Sequence, residues 1–243
     1  MFFVRNVTVT SPCKTVADRR TDNRTLIHNV YFDNMRIVAP RDVTFYYGDF
    51  FGFIFMRHVT VDYQGAVTHV PAVQVKTNYG LIMEDCLVCN AGAGSTGDAY
   101  VFSDCWDVWS LDCRAENIGG NGFTFTDMHH CFFMDLTAVG CGGNGFVFGS
   151  QFDQYHGITA DRTAGILFDN ACYLTVSDVA VTNSTGHGLA LQRSGFCNLY
   201  GLTASASQEN DLFERADSFY CVLIDFSAPK TVCDGHKSLY RNL

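Results

Sequence analysis

The sequence predicts an all-β solenoid, a chain wound into successive coils whose short strands stack in parallel on the coil before. Three observations predict it. The stretch GGNGFTFTDMHHCFFMDLTAVGCGGNGFVF, residues 119–148, states GGNGF-x-F twice, 23 residues apart. Similar anchors recur along the chain at steps of 21 to 29 residues. Each period also holds three short segments of alternating apolar and polar residues, broken by Gly, Asn and Asp. Alternation with period two means strands, and a fixed period of a few tens of residues means a stacked repeat.

The first strand of each coil is read at Tyr100-Val-Phe102, Phe123-Thr-Phe125, Phe146-Val-Phe148, Ile166-Leu-Phe168 and Leu189-Ala-Leu191. The second places Val108 and Ser110, Cys131 and Phe133, Asp153 and Tyr155, Leu174 and Val176, and Cys197 and Leu199 inward. The third is anchored at Val7, Val30, Val59, Cys86, Cys113, Leu136, Ile158, Val179 and Leu202. Three strands per roughly 22 residues, stacked at about 4.8 Å, give nine or ten coils and a rod about 45 Å long. The solenoid is expected over residues 1–207, and residues 208–243, where the spacing breaks, as an irregular C-terminal coil or cap.

The columns of such a coil have physical meanings. Phe102, Phe125, Phe148, Phe168 and Leu191 form an internal ladder. Asn6, Asn29, His58, Asp85, Asp112, Asp135, Gly157, Asp178 and Gly201 precede the third strand, where a tight turn asks for residues that tolerate left-handed dihedrals. Thr8, Thr60, Thr137, Thr159 and Thr203 satisfy strand propensity on the outer face.

Composition excludes several functions. With a net charge of −9, 16 Lys plus Arg and no basic run, nucleic acid is not an expected partner. The opening MFFVRNVTVTSP lacks the apolar core of a signal peptide, and no segment offers ~18 uninterrupted apolar residues, so neither a signal peptide nor membrane insertion is expected. The 11 Cys are irregularly spaced and many face inward, the usage of reduced core residues rather than of a disulfide framework. The one C-x-x-C, Cys86 to Cys89, has no second pair, and neither a metal nor a cofactor is expected. Gly140-Cys-Gly142-Gly-Asn-Gly145 matches G-x-G-x-x-G, but a strand follows it where nucleotide binding needs a helix N-terminus.

These repeats resemble the right-handed parallel β-helix of the pectate-lyase-like superfamily, which includes polysaccharide lyases, polygalacturonase-type hydrolases and bacteriophage tailspikes. The resemblance covers about residues 1–226. Gly186-His187-Gly188 is similar to a polygalacturonase motif, but the companion motifs are absent, and His187 takes the repeat position of Asn121 and Asn144. The resemblance implies tailspike-like or tail-fibre-like architecture, a homotrimer of side-by-side rods, and a cell-surface polysaccharide as ligand. The first coil lacks the usual capping helix, so a longer parent chain or a covering partner is expected.

Chemistry concentrates in the turn between the first and second strands. Asp104 and Asp127 lie two residues past the ladder Phe, on adjacent coils about 5 Å apart. Asp107, His130 and Asp153 form a second column, and Trp106, His129, Tyr155 and His156 lie among them. Carboxylates at that spacing suit a glycosidase pair, carboxylates beside rings suit saccharide binding, and Asp also makes turns; all three readings stay open. Trp109, Leu111, Phe132 and Met134 point outward as an apolar patch of the kind that marks an oligomer interface. The expected function is a virion-surface β-helix, made in a host cytoplasm, that binds glycan and has the residues to cleave it. A free-standing lyase or hydrolase and a purely structural virion protein are the alternatives.

Overall fold

The computed structural model describes residues 2–10, 15–20, 29–50 and 53–241. They form one sheet of 22 strands, every pairing parallel, wound into a β-helix of about nine turns with ~23 residues per turn. The described residues include no helix.

The internal ladder holds the coils together. Phe102, Phe125, Phe148 and Phe168 stack with ring centroids 5.5, 5.6 and 5.0 Å apart. A second file beside it, Tyr100, Phe123 and Phe146, stacks at 4.7 and 5.0 Å with rings nearly parallel. Each ring is buried and covers the one below, because the parallel register places equivalent residues directly over one another.

The GGNGF repeat that reveals the period is a corner. The Asn121 amide donates to Asp98 Oδ1 at 2.7 Å, and the Asn144 amide donates to Asn121 Oδ1 at 2.8 Å, so each side chain satisfies the backbone of the next coil. The glycines allow close approach: a Cβ on Gly122 would sit 2.6 Å from the Gly145 carbonyl oxygen. His187 does the same work in the same column two coils above Asn144, its Nδ1 accepting from the Asn210 amide at 3.3 Å.

The turn before the third strand is left-handed at His58, Asp85, Asp112, Asp135, Gly157, Asp178 and Gly201, with φ from 50° to 67°. In the second coil the position belongs to Asn34 (φ 53°) rather than Asn29. Val7 pairs with Met35, while Val30 pairs with Phe2, so the anchor expected at Val30 belongs five residues later. Asn34 Nδ2 donates to Asn6 Oδ1 at 2.7 Å, continuing the corner ladder.

The break in spacing after residue 207 does not end the sheet. Leu212–Glu214, Val222–Ser227, Thr231–Cys233 and Leu239–Arg241 continue the stack in register. A longer corner loop, not a change of fold, disturbs the repeat. Glu214 continues the column of Leu191, fully buried, with Ser238 donating to its Oε1 at 2.7 Å.

The ten described cysteines are free thiols and eight are buried, as the inward positions predict. Removing one ring of the ladder leaves a cavity between two coils that cannot collapse without breaking register. Phe125→Ala is therefore expected to lower unfolding stability by about 3–5 kcal/mol, read by urea denaturation; a loss below about 1 kcal/mol would show that the ladder does not hold the coils.

Candidate functional site

The corner between the first and second strands contains two left-handed residues per coil, three positions apart. Asp104 (φ 53°) and Asp127 (φ 51°) occupy the first of these, above Thr77 (φ 46°). Both carboxylates are exposed, and the Thr77 hydroxyl donates to Asp104 Oδ2 at 3.2 Å. Asp107 (φ 55°) and His130 (φ 56°) occupy the second.

Between the two corners a single outward side chain projects from each coil. Tyr79, Trp106 and His129 form this column, with centroids 5.3 and 4.9 Å apart and planes inclined at 47° and 57°. Six of the expected site residues, Asp104, Trp106, Asp107, Asp127, His129 and His130, thus meet on two adjacent coils. Thr77 and Tyr79 extend the cluster one coil down. Sequence reading missed both, although they fall at the same repeat positions 27 residues earlier.

Three expected site residues lie elsewhere. Asp153 does not share the column of Asp107 and His130; Phe152 (φ 61°) holds that place, and Asp153 turns into the coil, 1% exposed. Asp153 Oδ1 accepts from the Cys131 amide at 2.8 Å, and Tyr155, also buried, donates its hydroxyl to Asp153 Oδ2 at 3.1 Å. Neither can touch a surface glycan. His156 is exposed at the far edge of the second strand, its Nδ1 3.0 Å from Asp178 Oδ2 and 2.9 Å from Ser177 Oγ.

Trp109, Leu111, Phe132 and Met134 do point outward, and Trp109 is 52% exposed. They belong to something longer than the sequence indicated. Phe3, Tyr31, Phe55, Ile82, Trp109 and Phe132 fall in one column through six successive coils. Above it the aromatic stripe moves to the corner column, where Phe152, Tyr173, Phe196 and Tyr220 stack at 4.9, 5.0 and 5.2 Å within 8° of parallel. Aromatic residues rarely accept positive φ; here ring-on-ring contact offsets the strain. A hollow of about 320 Å³, lined by Trp109, His130, Phe132, Phe152 and Gln154, marks the place where the stripe changes column.

Ring orientation differs among these aromatics. In the parallel stacks, Phe152 to Tyr220 and Phe3 to Phe55, neighbouring rings cover the faces they turn to each other and edges meet solvent. The planes are inclined at Trp109 and Phe132, by 52°, and at Tyr79, Trp106 and His129, where part of each face is uncovered and carboxylates stand beside it. Faces with adjacent acceptors are what a pyranose needs, its C–H groups lying on the ring and its hydroxyls donating to carboxylate.

A second, polar groove of about 620 Å³ runs along the turn before the third strand, past Asp85, Asp112, Arg114 and Asp135. Its carboxylates are there because the turn is left-handed. Among the described residues no group of His, Cys, Asp and Glu is arranged to hold a metal ion.

No protein-family model and no curated protein matches the chain. Among solved structures it is similar to the Dettilon tailspike protein, at 11% identity and a TM-score of 0.39 over 98% of this chain and 61% of that one. It is also similar to the A-module of the Azotobacter vinelandii mannuronan C-5 epimerase AlgE6, at 13% identity and a TM-score of 0.44 over 98% and 88% of the two chains. The periplasmic alginate epimerase AlgG matches at 12% identity and a TM-score of 0.35, over 88% and 68%. The chain thus spans less than two thirds of the tailspike it matches.

Burial pushes the Asp153 carboxyl up from its ordinary 3.8 to about 6. Because the folded value is the higher one, its stabilising contribution is complete below pH 3.8 and is lost as pH rises through about 6. Asn keeps the acceptor for Cys131 and carries no charge. Asp153→Asn is expected to match the parent below about pH 4 and to exceed it by on the order of 2 kcal/mol at pH 7, measured by urea unfolding across that range.

Proposed function

We propose that this protein is a glycan-recognition β-helix of the tailspike kind, displayed on a virion surface, which grips a host polysaccharide at the Asp104/Trp106/Asp107–Asp127/His129/His130 corner. The observation that carries this reading is the inclination of the Tyr79–Trp106–His129 rings beside exposed carboxylates. Coil spacing is about one sugar residue long, so a linear glycan lying along the axis meets one polar corner residue and one ring at each of the three coils. The buried free thiols suit a chain folded in a reducing host cytoplasm.

Binding is favoured over cleavage by direction. Glycosidase carboxylates flank the scissile bond, whereas Asp104 and Asp127 are stacked in one column and face the ligand from one side. The ligand's charge follows from the same residues. Three carboxylates at the corner and a net charge of −9 disfavour a polyanionic chain and suit a neutral or amine-bearing one.

Titration of neutral, amine-bearing and uronate-rich cell-surface polysaccharides, followed by tryptophan fluorescence, tests this. Trp106→Ala is expected to weaken binding at least tenfold, and Asp104→Asn with Asp127→Asn by a similar factor. Binding to none of the three classes, or unchanged binding by Trp106→Ala, would refute it. Release of reducing ends that disappears in the double Asn variant would instead make the corner a hydrolytic site.

The aromatic column from Phe3 to Phe132 is the side on which copies pack into a homotrimer. The edge-on rings of Phe3, Tyr31 and Phe55 and the ion pairs that flank them, Arg5 with Asp33 and Arg57 with Glu84, each at 2.8 Å, support a protein partner there rather than a sugar. Light scattering is expected to give three times the monomer mass for the parent and one for Trp109→Glu with Phe132→Glu. A monomeric parent would overturn the assignment.

A further inference from the structure

Two columns of the core place one cysteine directly over another. Glu84 pairs with Leu111 and Leu87 with Arg114, so Cys86 and Cys113 are equivalent residues of adjacent coils, joined by the Arg114 amide donating to the Cys86 carbonyl at 2.8 Å. Gly195 pairs with Phe219 and Asn198 with Val222, which sets Cys197 beneath Cys221; there the Val222 amide donates to the Cys197 carbonyl at 2.8 Å. In each pair both thiols lie inside the coil and donate to backbone carbonyls, Cys86 to Glu84 at 3.5 Å, Cys113 to Leu111 at 3.3 Å, Cys197 to Gly195 at 3.5 Å and Cys221 to Phe219 at 3.7 Å. The six remaining described cysteines stack on other residues: Cys89 lies between Asp62 and Glu116, Cys105 above Asn78, Cys131 between Val108 and Asp153, Cys141 above Ile118, Cys172 between Gln151 and Gly195, and Cys233 above Glu214.

We infer that Cys86–Cys113 and Cys197–Cys221 are latent inter-coil staples, thiols in a reducing compartment and disulfides once the chain folds or breathes in an oxidising one. Parallel neighbours stand about 4.8 Å apart at Cα, inside the roughly 4.4–6.8 Å that a disulfide spans, and their equivalent register sends both side chains of each pair to the same, inner side of the coil. With oxidised glutathione as oxidant, two S–H bonds and the glutathione S–S bond break, one protein S–S bond forms, and the two electrons and two protons leave as two glutathione thiols. Each closes a loop of one whole coil, 27 or 24 residues in sequence, and so removes the unfolded chain's freedom to let neighbouring coils part. All four residues are at most 3% exposed, so exchange needs an open coil; this keeps the thiols intact in the folded, reduced protein. The inference is independent of the glycan reading.

The test is to refold the full chain from urea in a glutathione buffer poised oxidising, alkylate the remaining thiols, and map linked peptides by mass spectrometry. The expected result is Cys86 joined to Cys113 and Cys197 to Cys221, with the urea midpoint raised by about 1 M or more. The double variant Cys113→Ala with Cys221→Ala should form neither link and show no rise. Native protein oxidised in urea just below its transition gives the same map without requiring refolding. Recovery of all four residues alkylated in both experiments, linkage to other cysteines, or an unmoved midpoint would overturn the inference.

Discussion

The parallel hydrogen bonds between coils hold equivalent residues about 4.8 Å apart along one axis, and the rest of the molecule follows from that registry. Whatever a position carries is repeated above and below itself, so a ring becomes a ladder, an amide an Asn stack and a thiol a thiol pair. The buried files at Phe102 and Phe123 exploit this directly. The same registry makes substitution costly, since each ring is both floor and ceiling to its neighbours.

Corners supply the second constraint. To turn between strands in one or two residues the backbone passes through left-handed dihedrals, and Asp, Asn and Gly fill most of those positions. A row of carboxylates is thus produced by geometry before any ligand is considered, and the groove past Asp85, Asp112 and Asp135 is one such row. Aromatic residues at the same kind of corner are another matter. Phe152, Tyr173, Phe196 and Tyr220 accept φ values that their side chains disfavour because each gains a stacked face.

The core also carries groups that an apolar file would not choose. Asp153 and Glu214 are buried, and burial raises both carboxyls. Asp153 is held by the Cys131 amide and the Tyr155 hydroxyl, a polar cross-link between adjacent coils. Glu214 takes over a ladder column and fixes Ser238 of the last described coil.

Residue pattern alone determined the coil period, the internal Phe ladder, the turn columns and the outward direction of Trp109 and Phe132, because each depends on a period-two alternation or a left-handed preference that single residues express. It placed Asp104 with Asp127 and Trp106 with His129 for the same reason. It failed where an offset of a few residues decides the face. Asn34 displaces Asn29, and Phe152 displaces Asp153, because the number of residues between corners varies from coil to coil and a shift of one sends a side chain to the opposite side. The continuation of the sheet past residue 207 was hidden by a longer loop. The tilt of the rings at Trp106, against the parallel stack at Tyr173, belongs to tertiary structure alone: side-chain rotation answers to neighbours on the coils above and below, which no local stretch of sequence contains.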